Sequence, residues 1–240
     1  MIKKLSIIIP LYNEEKRIPQ SIIYLDKFLK ESKKKLEIIF VNDGSTDKSE
    51  TLIKKYIKKN KFKKKNKFKL ISYIKNKGKG YALKQGVIKA KYDWILTFDL
   101  DFSVQLYQIQ IWENKGLINK TEKIYFGSRE HEDSIVNTKY YRKFIGIIFR
   151  NIINIILKIK IQDTQCGFKL YQKSVAKKIF KKILISGYEH DLEIVLLAKK
   201  FVIPIIELPV SWTHRDLSKI NVLSDSFKML KGILKLKNIK

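Results

Sequence analysis

Trp94-Ile-Leu-Thr-Phe98-Asp99-Leu-Asp101-Phe-Ser103 is the stretch from which the fold can be worked out. An apolar, partly β-branched run ends abruptly in two acids separated by one leucine. In a strand alternate residues share a face, so Asp99 and Asp101 are expected on one side of a strand end. Two carboxylates that close repel each other unless a cation lies between them. Mg²⁺ is held by one or two carboxylates plus substrate phosphates, and Mn²⁺ also suits carboxylate oxygen. The pair therefore points to a metal–diphosphate site; a plain acidic surface turn is the alternative that the rest of the chain must weigh.

The chain upstream alternates short apolar runs with helical patterns. Residues 5–9, 36–41, 68–74 and 94–98 read as buried strands, and 14–30, 47–59 and 80–91 carry apolar residues at helical spacing. Such alternation predicts an α/β fold, a Rossmann-like, mostly parallel sheet with helices on both faces. No GxGxxG follows the first strand, which argues against a dehydrogenase-type dinucleotide site. The lysine-rich piece 61–69 reads as a solvated loop before the third strand. In these sheets ligands bind at the carboxyl ends of the strands. Four polar loops converge there: Pro10-Leu-Tyr12-Asn13-Glu14-Glu15, Asn42-Asp43-Gly44-Ser45-Thr46-Asp47, Asn76-Lys-Gly78-Lys79-Gly80 and Asp99-Leu-Asp101. Each has a bland reading: the second as a turn with Ser45, Thr46 or Asp47 as a helix N-cap, the third as a lysine-rich turn. Functionally, Asp43 suits a base's ring N–H, and the glycines let backbone approach an anion at a helix N-terminus, with Lys77 and Lys79 adding charge. Their joint placement favours a site.

Composition sets the outer bounds. The 240 residues suffice for one full-sized core or at most two small domains, and 45% hydrophobic residues exclude a disordered chain. A formal charge of +28 favours nucleic acid or an anionic membrane as partner. Only Arg17, Arg129, Arg142, Arg150 and Arg215 are arginines, however, and a lysine-dominated excess is also what an AT-rich coding sequence produces by drift. Aromatics are not interleaved with basic residues in a nucleic-acid motif, so no nucleic acid partner is expected. Cys166 is the sole cysteine, which excludes an intrachain disulfide and suits a reducing compartment. The amino-terminal apolar run is stopped by Pro10, too early for a signal peptide, and no segment offers the ~20 uninterrupted apolar residues of a membrane span. A cytoplasmic protein, or one lying on a membrane surface, is expected.

At these residues the chain resembles the family 2 glycosyltransferases of the GT-A fold. The resemblance rests on Pro10-Leu-Tyr-Asn-Glu-Glu, Val-Asn-Asp43-Gly-Ser-Thr-Asp, Asn76-Lys-Gly-Lys-Gly-Tyr-Ala and the acidic pair, and covers roughly 4–220. Phe126-Gly-Ser-Arg129-Glu-His131, Asp163-Thr-Gln-Cys-Gly-Phe168-Lys169 and Ile203-Pro-Ile-Ile-Glu-Leu-Pro-Val-Ser-Trp212 look like the polyprenyl-phosphate branch. Within it they are closest to dolichyl-phosphate β-glucosyltransferases, with mannose synthases as cousins. Departures are Leu100 between the acids, Phe102-Ser103-Val104-Gln105 after them, Tyr188-Glu-His190-Asp191-Leu-Glu193 without the usual aromatic before the aspartate, and no amino-terminal anchor of the eukaryotic glucosyl enzymes.

The resemblance implies that Pro10, Tyr12, Glu14 and Asp43 hold the donor's base and ribose, with Lys79 near the diphosphate. It implies that Asp99 and Asp101 carry Mg²⁺ or Mn²⁺, and that Arg129 and Arg142 hold the acceptor phosphate. Asp163 and Gln165 would line the sugar pocket, Asp191 matches the base position, and Ser218 and Lys219 would close over the donor. The implied reaction is inverting transfer of a hexose, glucose from UDP-glucose preferred over mannose from GDP-mannose, to a polyprenyl phosphate. Transfer to a saccharide hydroxyl and a nucleic-acid-binding role are the alternatives.

The acceptor decides what Asp191 must do. A phosphate monoester is already ionised near neutral pH, so arginine forks matter more than a base. A sugar hydroxyl needs a base, and Asp191 is the candidate. The bland reading makes Asp191 and Glu193 solvent-facing helix residues. The resemblance places His131 and His214 along the site, while His190 reads as incidental and Cys166 as packing in a tight turn. Residues 140–159 carry Lys143, Arg150, Asn154 and Lys158 as a narrow polar stripe on an apolar helix, suited either to a membrane interface or to a core. The division expected is a catalytic domain over 1–220 and a basic amphipathic helix over 221–240.

Overall fold

The structure is a computed structural model, which describes residues 1–119, 121, 123–137, 154–155, 157, 159–187 and 189–214. Arg142, Ser218, Lys219, most of 140–159 and all of 221–240 lie outside the described residues.

The first four strands are β1 (Lys4–Leu11), β2 (Lys35–Asp43), β3 (Lys67–Tyr73) and β4 (Trp94–Thr97). Between them run α1 (Ile18–Glu31), α2 (Ser49–Lys59) and α3 (Lys79–Lys89). After β4 come α4 (Gln108–Asn114), β5 (Ile124–Ser128), β6 (Ile135–Asn137) and β7 (Lys169–Gln172). The described chain then gives α5 (Lys173–Lys182), α6 (His190–Lys200), β8 (Ile205–Pro209) and β9 (Ser211–Thr213). Seven strands form one sheet in the order β3-β2-β1-β4-β7-β5-β8, and β6 pairs with β9 in a small second sheet. β7 alone runs antiparallel, inserted between β4 and β5; the other pairings in the main sheet are parallel. The expected α/β fold, helices over both faces of a mostly parallel sheet, is therefore what the chain adopts.

The two-residue period of a strand explains the two cores. Leu5, Ile7 and Ile9 of β1, with Leu36, Ile38 and Phe40 of β2, point into the core under α1, α2 and α4. Ile8, Ile39 and Val41 point the other way, into the core under α3, α5 and α6. Both faces being covered, the strands read as continuous apolar runs. Each fully buried Ile or Leu contributes roughly 1.5–3 kcal/mol. Gly86 lets α3 sit against the sheet, since a β-carbon there would come within 2.2 Å of Ile8 Cγ2.

Three local expectations change. The acids are not on a strand: β4 ends at Thr97, and Asp99 and Asp101 sit in the turn that follows. α1 starts at Ile18 rather than residue 14, because Pro19 fits the first helical turn and 14–17 are tied into a separate turn. The stretch 61–69 is a short 3₁₀ turn (Lys61–Lys64) followed by β3, whose Lys69 bonds the buried Glu37 carboxylate at 2.9 Å.

Candidate functional site

The carboxyl ends of β1 to β4 open on one rim, and hydrogen bonds stitch its loops together in sequence. Asn13, at φ 52°, and the two following residues present three backbone N–H groups toward the second loop. Asn13 N donates to Ser45 Oγ (2.9 Å), Glu14 N to Ser49 Oγ (2.7 Å) and Glu15 N to Asp47 Oδ2 (3.1 Å). In return Thr46 N donates to Asn13 Oδ1 and Lys48 N to Glu15 Oε2. Polar residues read as an N-cap for α2 thus satisfy mainly the neighbouring loop. Only Asp47 also serves α2, accepting from Ser49 N at 2.9 Å, and the cap residue itself is Lys48. Tyr12 stands exposed at this edge, and Glu14 is ion-paired with Arg17 at 3.2 Å.

Asp43, at the end of β2, joins the second loop to the third. Its buried carboxylate accepts from Lys77 N (2.9 Å), Gly78 N (2.8 Å) and Asn76 Nδ2 (3.0 Å). A carboxylate has about four acceptor positions, so these bonds leave little of it over. Gly78 has φ 95°, which a side chain would strain, and its open face lies against Ser186, whose carbonyl oxygen would be 2.3 Å from an added β-carbon. Gly80 N donates to that same Ser186 oxygen at 2.8 Å. The glycines expected to admit an anion therefore admit the backbone of 185–187 at the start of α3.

The turn carrying Asp99 and Asp101 is held by aromatic packing. Phe102 adopts φ 55°, uncommon for a bulky residue. Its buried ring, 4.7 Å from Phe98 and 5.6 Å from Tyr24 between centroids, fixes that conformation. Asp101 Oδ1 accepts from Ser103 N at 2.9 Å, and Asp99 Oδ1 pairs with Lys79 Nζ at 2.6 Å. Behind Asp99 runs Gly167, where an added β-carbon would come within 2.1 Å of Asp99 Oδ2. Among the described residues no group of three or more His, Cys, Asp or Glu is arranged to hold a metal. Two partly exposed carboxylates are the hard oxygen donors that Mg²⁺ or Mn²⁺ takes when diphosphate and water supply the remaining positions.

Across the antiparallel strand lies a second polar cluster. Arg129, just past β5, forks onto Asp163: Nε to Oδ2 at 2.7 Å and Nη2 to Oδ1 at 2.9 Å. Asp163 also accepts from the backbone N–H groups of Arg129, Gln165 and Cys166. Burial alone raises a carboxyl pKa, but the guanidinium and these donors hold Asp163 below the ordinary carboxylate range. Conversely burial works against the Arg129 charge, and Asp163 overcomes it, holding the arginine firmly protonated. The guanidinium lies 5.7 Å from the Trp212 ring, which packs at 6.0 Å from His214. Cys166 is buried, its thiol pushed up to about 12 by burial and by Asp163, so it is a packing residue as expected.

Asp191 and Glu193 are not solvent-facing. Both are buried at the start of α6. Asp191 Oδ1 accepts from the buried Lys169 Nζ at 2.6 Å and lies 3.2 Å from His190 Nε2. Burial opposes its charge, yet His190 and Lys169 together hold its pKa well below the usual range. Glu193 accepts from Leu184 N and Ile185 N, both at 2.8 Å, which fixes the segment facing Gly78 and Gly80. His190, expected to be incidental, is fully buried beside Asp191 with Nδ1 2.9 Å from Gly187 O.

The candidates named from sequence thus fall into two described groups. Pro10, Tyr12, Glu14, Asp43, Lys79, Asp99 and Asp101 share the parallel-strand rim, while Arg129, Asp163 and Gln165 belong to the segments beside β5 and β7 and Asp191 to the start of α6. Sequence reasoning missed Lys169, Gly167, His190 and Glu193 as structural partners of the site. One signal was present, a lysine inside the otherwise apolar Phe168-Lys169-Leu170-Tyr171.

The profile described as Glycosyl transferase family 2 matches residues 6–180. A dolichyl-phosphate beta-glucosyltransferase of Dictyostelium discoideum is 34% identical over 97% of this chain and 73% of its own. The enzyme of that name from Homo sapiens is 32% identical over 97% and 74%. Among solved structures, glucosyl-3-phosphoglycerate synthase from Mycobacterium tuberculosis in complex with UDP superposes with a TM-score of 0.66 at 15% identity, covering 97% of this chain and 79% of that one. The same synthase with Mn²⁺, UDP-glucose and glycerol 3-phosphate gives 0.66 at 14% identity, over 97% and 79%. The chain belongs to glycosyl transferase family 2.

Proposed function

We propose that this protein is an inverting glycosyltransferase that moves glucose from UDP-glucose to a dolichyl or related polyprenyl phosphate. The observation that carries this reading is identity above 30% to dolichyl-phosphate beta-glucosyltransferases along 97% of the chain. Pro10, Tyr12, Glu14 and Asp43 form the edge assigned to the nucleotide, and Lys79 the cation beside its diphosphate. Asp99 and Asp101 are the residues that would hold Mg²⁺ or Mn²⁺; the bound cation supplies neutralisation of the charge developing on the leaving diphosphate.

Arg129 and Arg142 are assigned to the acceptor phosphate, with Asp163 and Gln165 at the sugar. Asp163 takes two of the five N–H groups that a guanidinium offers, and in doing so fixes the plane of Arg129. The surroundings of Asp191 support a phosphate acceptor. A base works best with a pKa near the operating pH, and this carboxylate is buried, ion-paired and held far below it. A phosphate acceptor, with a second pKa of ~6, arrives ionised and needs no such base. Ser218 and Lys219 are assigned to closure over the donor.

The lipid acceptor and the charge of +28 support peripheral attachment to the cytoplasmic face of a membrane, and the lysine-rich composition of residues 221–240 suits contact with such a surface. Among the described residues no helix is long and apolar enough to cross a membrane. Incubation with radiolabelled UDP-glucose or GDP-mannose, polyprenyl phosphate and Mg²⁺ tests the reaction. Labelled lipid from UDP-glucose is expected; lipid product from neither donor removes the acceptor assignment. Sedimentation with anionic liposomes at moderate salt is expected as well, and a protein left in the supernatant at every salt concentration removes the membrane assignment.

A further inference from the structure

Asp99 is flanked on two sides, and both flanks lead to one buried cluster. On one side Lys79 pairs with Asp99 at 2.6 Å, and the next residue, Gly80, lies against His190, whose Cβ would be 2.7 Å from an added β-carbon. On the other side Gly167 backs directly onto Asp99 Oδ2. The residue before it, Cys166, gives its carbonyl oxygen to Lys169 Nζ at 2.7 Å, and the same ammonium reaches Asp191 Oδ1 at 2.6 Å. Lys169 is 1% exposed, on a core strand, with the Phe126 ring 4.8 Å from its charge. Thr97 Oγ1, at the end of the strand that leads to Asp99, donates to Gly167 O at 3.3 Å. A buried ion pair is seldom the most stabilising way to fill a core, and no step of the proposed reaction uses Lys169.

We infer that Lys169, together with Asp191 and His190, is a positioning cluster that sets Asp99 for a divalent cation and diphosphate, and that Asp191 moves no proton. Lys169 draws the Cys166–Gly167 backbone inward and so fixes the surface on which Asp99 rests. Asp191 neutralises Lys169, and His190 spaces the start of α3, which carries Lys79. The inference rests on Asp99 and Asp101 being the cation seat.

The decisive variant is Lys169→Met combined with Asp191→Leu. It removes both charges together, so neither is left buried without its partner. Mn²⁺ uptake is read from the electron paramagnetic resonance of the free ion, with and without UDP. Supporting residues behind metal ligands change affinity by roughly 10–100-fold when lost, and a tenfold weaker uptake of Mn²⁺ with UDP is expected here. Amide hydrogen exchange at 165–168 is expected to accelerate, and the KM for UDP-glucose to rise by a larger factor than kcat falls. Asp191→Asn, which keeps an oxygen for Lys169, is expected to recover most of the lost Mn²⁺ affinity and to turn over faster than the double variant. A folded double variant with wild-type Mn²⁺ uptake and exchange overturns the inference alone. So does an Asp191→Asn protein that binds Mn²⁺ normally and does not turn over, the signature of a base. A wild-type protein that takes up no Mn²⁺, with UDP or without, overturns the cation seat and the inference with it.

Discussion

The two polar regions of this molecule use carboxylates in opposite ways. On the parallel rim Asp99 keeps 38% of its side chain exposed beside Lys79, and Asp101 is tied to one backbone N–H of its own turn. Around the antiparallel strand, Asp163 and Asp191 keep 4% and 6%, and each is committed to a buried or half-buried cation. Exposed acids retain oxygens for an incoming ligand, whereas buried acids have already exchanged water for fixed partners. Asp99 and Asp101 are therefore the more accessible pair, whereas Asp163 holds backbone N–H groups and Asp191 holds the buried Lys169.

The sharpest way to break this contrast is Asp163→Ala. It strands Arg129 and removes the acceptor for three backbone N–H groups, so a loss of about 3 kcal/mol is expected, the low end for breaking a buried pair because Arg129 is about one-third exposed. Denaturant unfolding measures it, and an unchanged midpoint would show that the fork is dispensable. Asp101→Asn asks the converse question. Turnover is expected to fall at least about 100-fold, some 2.7 kcal/mol in transition-state stabilisation, with the melting temperature almost unmoved. Wild-type activity in that variant would refute the metal role.

Acid titration gives a smaller effect. The folded pKa values of Asp163 and Asp191 lie below the unfolded value near 3.9, so their contribution is fully present above it. It is lost as pH falls through the folded values, and between pH ~5 and 8 these two groups should leave stability flat. Unfolding midpoints across that range test the point; a steep change there would assign the dependence to other groups. At the bottom of the scale, Lys54→Ala removes an exposed helical pair with Glu50 and should cost only about 0.3–0.5 kcal/mol by the same unfolding measurement.

How much of this was legible beforehand differs between the regions. Strands β1 to β4 and helices α1 to α3 follow from short apolar runs and helical spacing, because each element carries that pattern within its own residues. The rim motifs were legible for the same reason, as each loop directly follows its strand. One expectation failed for a local cause. Asp99 and Asp101 read as lying on a strand because the apolar run carries on to Phe98, yet the left-handed Phe102 shows a turn locked by ring packing. The packing of Ser186 against the glycines of the third loop was not legible, because nothing nearby in sequence announces it.

By itself the sequence determined the fold class, the order of the parallel strands' loops, the acidic pair and the family. All of these rest on local pattern or on ordered motifs. Only the tertiary structure decided which charges are buried and with whom. Arg129 meets Asp163 across 34 residues and Lys169 meets Asp191 across 22. Those meetings exist because β7 enters antiparallel between β4 and β5. A buried charge is stable only when its partner arrives from another element, and that arrival is a property of the chain's path through space.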